Sequence, residues 1–326
     1  MSTLTVDRTS PSTTSPAAST GEKLGAYLRA FWLRPENAMW MTLRSDALTC
    51  SSTPCYDLDL GCGDGVFSFI HAGGRIDPAF DVFHSVGSAV GINGKRSDMF
   101  DHVDEHYEPV ITRRPDEVIR TGTDLKPTLL AKACRLDLYQ ELVQRDLNEP
   151  LPFPDESFET VYCNMAYWVR HVDGLLAEMR RVTVSGGRVL LHVKLDAIRD
   201  CTLATRAGDL GAEFLDIIGR DRFDSWPTLA DRSTWEHRFR HAGLNIEQAI
   251  PLATTTHAHL WDVGLRPIAP LLVRMANGLD PVERAGIKSE WVELFHTLAE
   301  PLCCRDLDLV AGGGTPVEMQ YELRPG

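Results

Sequence analysis

Apolar residues recur along this chain at two spacings, and the switches between them mark out its elements. Between positions 22 and 48, Leu24, Tyr27, Leu28, Phe31, Trp40 and Leu43 fall near helical spacing and predict one or two helices. A short apolar strand at 56–60 runs into Gly61, Gly63 and Gly65 and on into an apolar helix at 66–70. Strand character returns at 117–125, 141–147, 151–164 and 186–193, with helices expected at 126–133 and 173–182. Farther on, 244–252 and 316–323 read as a sixth and a seventh strand. They flank a block at 257–304 whose apolar positions suit two helices packed as a hairpin. Strands alternating with helices predict an α/β fold built on a doubly wound sheet.

The turn after the first strand carries the strongest chemical signal: Asp59-Leu60-Gly61-Cys62-Gly63-Asp64-Gly65. Glycine accepts positive φ and lets a ligand approach the main chain, and the following helix offers unpaired N–H groups to an anion. The spacing is G-x-G-x-G, not the G-x-G-x-x-G of dinucleotide folds. Plain tight turns also place glycines at strand ends. The second strand ends on Asp124, a carboxylate suited to accept hydrogen bonds from ribose hydroxyls. Asp124 and Asp146 each have a plainer alternative as a helix cap or turn carboxylate.

At these residues the chain resembles the class I S-adenosylmethionine (SAM) dependent methyltransferases, in particular the broad group containing the ubiquinone/menaquinone methyltransferases. The segments that carry the likeness are Asp59 to Gly65, Gly122-Thr123-Asp124, and Asp146 followed by Leu151-Pro152-Phe153-Pro154-Asp155-Glu156-Ser157-Phe158-Glu159. The resemblance spans 56–195 and is specific for fold and cofactor, not for the methyl acceptor. It implies a seven-stranded, Rossmann-like methyltransferase sheet with added helical lid segments. It also implies that SAM is bound and S-adenosylhomocysteine (SAH) released. By the same resemblance, the main chain at Gly61, Gly63 and Gly65 lies against the methionyl part of SAM, with Asp59 beneath the loop near its amino group. Asp124, followed by Leu125, would hold the ribose, Asp146 and Leu147 would flank adenine, and Asn164 would lie where the fourth strand opens toward the methyl.

The chain departs from the family pattern in one place. The ribose acid normally follows the glycine loop by about twenty residues, so Asp124 requires an insertion over 72–116. Asn93, at the end of an alternative strand, is the competing ribose ligand, but Gly94-Lys95-Arg96 after it is a turn signal. Asp124 is preferred because a helix and a short step to Asp146 follow it.

Composition narrows the partners. A formal charge of −13 argues against a nucleic-acid or anionic-membrane surface, which needs clustered Lys and Arg. Apolar runs fall short of the roughly 18 residues that span a bilayer, and the first twenty residues lack the basic start and apolar core of a secretory signal. Residues 1–21, rich in Ser, Thr, Pro and Ala, read as a disordered tail. The eight cysteines form no C-x-x-C pair, which predicts free thiols in a reducing cytoplasm and no structural zinc. The remainder, 22–326, is expected to be a single methyltransferase domain. Its candidate lids are the helical segment 22–48, the insertion 72–116, and cap segments at 196–233 and 257–304.

Methyl transfer from a sulfonium is an in-line displacement, so nucleophile, carbon and sulfur must be aligned and water excluded. A hydroxyl or carbon acid needs its proton removed, and His171, Tyr167 and His192 are the candidates near the strand ends. His171 is the first choice, with capping of the following helix as its plainer role. His192 lies inside an apolar strand, where a core histidine is the plainer reading. Asp98, His102 and His106 fall on one face of a possible helix, but acidic helices are usually solvated and no metal is expected. Asn164-Met165-Ala166-Tyr167 lacks the prolines of the N-P-P-Y signature of base-modifying enzymes. The expected function is therefore methyl transfer to oxygen, carbon or nitrogen of a small-molecule acceptor, such as a secondary metabolite, sugar or lipid-like precursor. A non-catalytic SAM-binding module and a protein or RNA methyltransferase are the alternatives.

Overall fold

In the computed structural model the described residues are 18–52, 55–84, 107–115, 117–211, 213, 226–303 and 314–326. Ser19 caps the first helix: its hydroxyl accepts from the Glu22 N–H while the Glu22 carboxylate accepts from the Ser19 N–H. Helix α1 (Thr20–Ala30) therefore starts slightly before the expected boundary at 22. The disorder expected of the tail concerns residues that, up to 17, lie outside those described. Pro35 opens α2 (Pro35–Thr49), and Lys23 clamps the two helices together by donating to Asp46 (2.7 Å) and Thr49 (2.8 Å).

The main sheet begins with β1 (Leu58–Leu60), and α3 (Val66–His71) follows the glycine loop. Next, β2 (Arg75–Ile76) and β3 (Ile111–Arg113) pair antiparallel as a separate ribbon at the ends of the insertion. The chain returns as β4 (Ile119–Asp124), α4 (Pro127–Cys134), β5 (Tyr139–Gln144), β6 (Phe158–Cys163), α5 (Val172–Val182) and β7 (Thr183–Lys194). It closes with β8 (Leu244–Thr254) and β9 (Pro316–Pro325). The seven strands lie in the order β5-β4-β1-β6-β7-β9-β8. Only β9 runs against its neighbours. Ile119–Asp124 is thus the strand beside β1, as the sequence order predicted, whereas Asn93 lies outside the described residues.

Strand order reverses at β1, because β4 and β5 are added on one side of it and β6 and β7 on the other. In an open parallel sheet such a reversal leaves a crevice at the carboxyl ends of the strands, where ligands bind. Alternation along β6 and β7 feeds two cores. Tyr162 and Leu190 pack with α1 and α3 on one face, while Val161, Cys163, Val189 and Leu191 pack with α5 and the helix Arg232–His241 on the other. The third strand is shifted from the expected 141–147 to Tyr139–Gln144, and the fourth is shorter than 151–164. Pro152 and Pro154 keep 151–157 out of the ladder, and Arg181 of α5 holds that turn through the carbonyls of Leu151 and Phe153 and the Asp155 carboxylate. The 257–304 block, where a packed helical hairpin was expected, holds the helices Ala269–Asn277 and Pro281–Cys303, and the second of these packs chiefly on α1 and α2. Among the described residues no helix is long and apolar enough to cross a membrane.

Leu190 is wholly buried at the centre of the sheet. Leu190→Ala is expected to cost about 3 kcal/mol of stability, read as a lower urea midpoint with an unchanged slope.

Candidate cofactor and acceptor site

The three glycines after β1 all have positive φ, at 80°, 59° and 76°, yet each answers a different need. A Cβ on Gly61 would sit 1.9 Å from the Met165 sulfur, so this glycine admits the loop that follows β6. At Gly65 a Cβ would press on Ala133, Tyr139 and Leu136, so the third glycine lets α3 pack against α4 and β5. Gly63 has nothing within 4 Å of its missing Cβ, which leaves the middle of the loop open. The loop is anchored to β4: Gly61 and Cys62 donate to the Thr123 carbonyl, and Gly63 donates to the Asp124 carboxylate at 3.1 Å. The other Asp124 oxygen accepts from the Lys126 N–H (2.8 Å).

Beneath this loop Asp59 is only 2% exposed. One of its oxygens accepts from Ser68 (2.6 Å) and Tyr139 (2.8 Å), and Tyr56 donates in turn to Ser68. Burial pushes the Asp59 carboxyl up to about 6, against the pull of the two hydroxyls. Asp59, the glycine loop and Asp124 therefore form one connected unit.

A second group gathers around Asn148. Asp146, just past β5, accepts from the Asn148 N–H and side-chain amide, and these bonds hold its carboxyl below the usual range. The Asn148 carbonyl oxygen accepts from the N–H groups of Arg170 and His171. Leu125 is exposed beside Asp124, whereas Leu147 is buried in the core under β6. His171 stands exposed at the N-cap of α5. Asn164 is half-buried just past β6, and Tyr167 is buried in the short turn that follows.

His192 requires a correction as a candidate base. It is fully buried within β7, where its ring nitrogens meet the Tyr162 hydroxyl (3.2 Å) and the Gln320 amide oxygen (2.8 Å). Burial and the nearby Arg44 charge push it down to about 3, so it is a neutral part of the sheet interior with no access to an acceptor.

The structure also assembles a cluster that sequence reasoning largely missed. Glu318 of β9, with no exposure, accepts from Lys194 at the end of β7 (2.5 Å), Arg44 (2.6 Å) and the Trp40 indole (2.8 Å) of α2. Burial opposes its ionisation, but Arg44 and Lys194 outweigh burial and hold it at about 2. The Lys194 ammonium lies 4.0 Å from the centre of the Trp40 ring and within 6 Å of the Tyr167, Trp226 and Trp261 rings. Arg44 also donates to the Tyr167 hydroxyl at 3.3 Å. The only signal in the sequence was Lys194, just beyond an apolar strand. Among the described residues no group of three or more His, Cys, Asp or Glu is placed to hold a metal ion, and Asp98, His102 and His106 lie outside them.

A raised carboxyl holds its proton in the folded state where the unfolded chain has released it. Stability from Asp59 is therefore full below the unfolded value near 4 and is lost as pH rises toward 6, a difference of roughly 3 kcal/mol. Asp59→Asn is expected to flatten that fall and raise the melting temperature at neutral pH, as read by thermal unfolding from pH 4 to 8.

Residues 112–191 match the family model described as a methyltransferase domain. The matched span starts beyond the glycine loop, in the last residues of the 72–116 insertion, and includes Asp124, Asp146 and Asn164. Among curated proteins none matches the chain. Among solved structures, a SAM-dependent methyltransferase from Mesorhizobium loti is 15% identical, with 86% of this chain and 97% of that one covered at a TM-score of 0.45. The [4+2]-cyclase SpnF is 13% identical, covering 87% and 81% at 0.45. Geranyl diphosphate C-methyltransferase from Streptomyces coelicolor A3(2), solved with Mg2+, geranyl diphosphate and SAH, is 12% identical, covering 87% and 77% at 0.41. The matched model is the methyltransferase domain at large, not the ubiquinone/menaquinone group. That match, together with a sheet of this order and direction, supports a SAM-dependent methyltransferase domain of Rossmann-like fold within the chain, with SAM as its methyl donor.

Proposed function

We propose that the enzyme transfers the SAM methyl group to a small molecule enclosed over the carboxyl ends of β6 and β7. The observation that carries this reading is the roof over those ends, where Trp40 and Arg44 from α2, with Trp226 and Trp261, close on Tyr167 and Lys194. A protein or RNA acceptor needs an open cleft at that place, and these side chains cover it. On the cofactor side, the open main chain at Gly63 faces the methionyl part, Asp59 meets the amino group, and Asp124 takes the ribose hydroxyls beside Leu125. Asp146 and Leu147 flank adenine, and Asn164 borders the sulfonium.

Proximity supplies most of the catalysis in such a site: the acceptor is held in line with the methyl carbon and sulfur, and the aromatic roof excludes water. Tyr167 accepts from Arg44, which leaves its own O–H to donate to the acceptor and orient it. His171 is exposed at the N-cap position of α5, where its side chain makes no capping hydrogen bond, and it takes no part in this reading.

Calorimetric titration with SAM and SAH tests this reading. Micromolar binding is expected for the intact protein. Asp124→Ala should lose about ten- to a hundredfold, the value of hydrogen bonds to a charged group. Gly63→Val should abolish uptake, since its side chain enters space reserved for the cofactor, and at a φ of 59° a β-branched residue also strains the loop by about 1–3 kcal/mol. An intact protein that takes up neither ligand would refute the assignment of the site.

A further inference from the structure

The charges in the roof do not balance, and the imbalance identifies the acceptor. Arg44 and Lys194 bring two positive charges to the single carboxylate of Glu318, and all three are buried or nearly so. Among the described residues no other charged group set against them makes up the difference. His192 on β7 is neutral, Gln320 beside it on β9 is uncharged, and Asp262 on the segment carrying Trp261 is engaged by Arg266 (2.7 Å) and the Leu203 N–H. Asp59 lies beneath the glycine loop, tied to Ser68 and Tyr139. One uncompensated positive charge in a site walled by indole rings is costly unless a ligand supplies the counter-charge.

The cluster also stands where an acceptor must be. Cys163 of β6 pairs with Leu191 of β7, so Lys194 projects beyond the sheet level with the turn that carries Tyr167. That turn reaches the glycine loop through Met165, which presses on Gly61. Four aromatic faces around an ammonium have the form of a cage for a cationic amine, but Lys194 already occupies that cage, and a second cation there would meet two like charges and the sulfonium. The Trp226 and Trp261 rings lie 5.8 Å apart and 21° from parallel, which gives the roof flat apolar walls.

Resting on the methyltransferase reading above, we infer that the acceptor is bound as an ionised hydroxyl on a flat, apolar skeleton, its oxyanion set against Arg44, Lys194 and the Tyr167 hydroxyl. In the transfer an oxygen lone pair forms the new O–C bond to the methyl carbon while the C–S electrons pass to sulfur. The hydroxyl proton passes to solvent as the acceptor binds, so that oxyanion and sulfonium are neutralised together in the transfer, giving an ether and SAH with a neutral sulfur. The ether no longer answers the positive cluster, which favours its release.

The test uses the full chain saturated with SAH and three probes: 4-nitrophenol, its methyl ether 4-nitroanisole, and the cation (4-nitrobenzyl)trimethylammonium. The phenol is expected to bind at least about tenfold tighter than the ether. Its absorption should be that of the phenolate at a pH where the free phenol is neutral, and the ammonium should not bind. Lys194→Met and Arg44→Met should each weaken phenol binding about tenfold and return its spectrum toward the neutral form while SAH binding persists. Equal affinity for phenol and ether, preference for the ammonium, or no binding of any probe to SAH-loaded wild type would overturn the inference without touching the cofactor site. Failure to take up SAH at all would instead overturn the reading on which it rests.

Discussion

The constraint on which the molecule depends is the reversal of strand order at β1. After β5 the chain crosses to the opposite side of β1 to lay down β6, and the carboxyl ends of the two strands are left facing a crevice that no crossover helix covers. Several of the residues proposed for the site are at that edge because a strand ends there. The glycine loop leaves β1, Asp124 ends β4, Asn164 follows β6, and Lys194 ends β7. The direction of the sheet thus sets the site before any side chain is considered.

Two buried carboxylates divide the crevice between them, and they are treated in opposite ways. Asp59 has only hydroxyl partners, so burial dominates and its carboxyl is raised. Glu318 has a guanidinium and an ammonium, so the ion pairs dominate and it stays ionised. The first is a strained charge beneath the cofactor loop, the second a junction that ties α2 and β7 to β9. Removing one partner of a buried ion pair costs about 3–5 kcal/mol because the other charge is left behind, so the proposed acceptor site and the stability of the sheet share a single group.

Much of this was legible in the sequence. Seven strands, the helices between them, the glycine turn and the placing of Ile119–Asp124 beside the first strand follow from periodicity and turn chemistry, because these are local signals. The junction at Glu318 was not. Glu318, Gln320 and Glu322 alternate along β9, a pattern that ordinarily marks a solvent-facing side, yet all three are buried. Their partners are far away in sequence: Arg44 and Trp40 for Glu318, the Ala47 carbonyl and Ser51 for Gln320, Ser52 and Arg188 for Glu322. Polar alternation does not say which surface the polar face meets, and only the packing of α2 across the sheet decides it. The Ser19 cap, by contrast, was present as a local S-x-x-E signature at the edge of a polar tail.

The place of β9 has a consequence for how the chain reaches this arrangement. It is the latest strand in the sequence but lies between β7 and β8, so β8 cannot join the sheet until β9 has been laid down. Between β8 and β9 the chain must also complete the Ala269–Asn277 and Pro281–Cys303 helices. Such non-local pairing is slow, and until it is made both β7 and β8 present open backbone edges. During synthesis the growing polypeptide therefore carries two templates for mispairing, and the strand that silences both also delivers Glu318, so protection from aggregation and completion of the acceptor wall arrive in one late step.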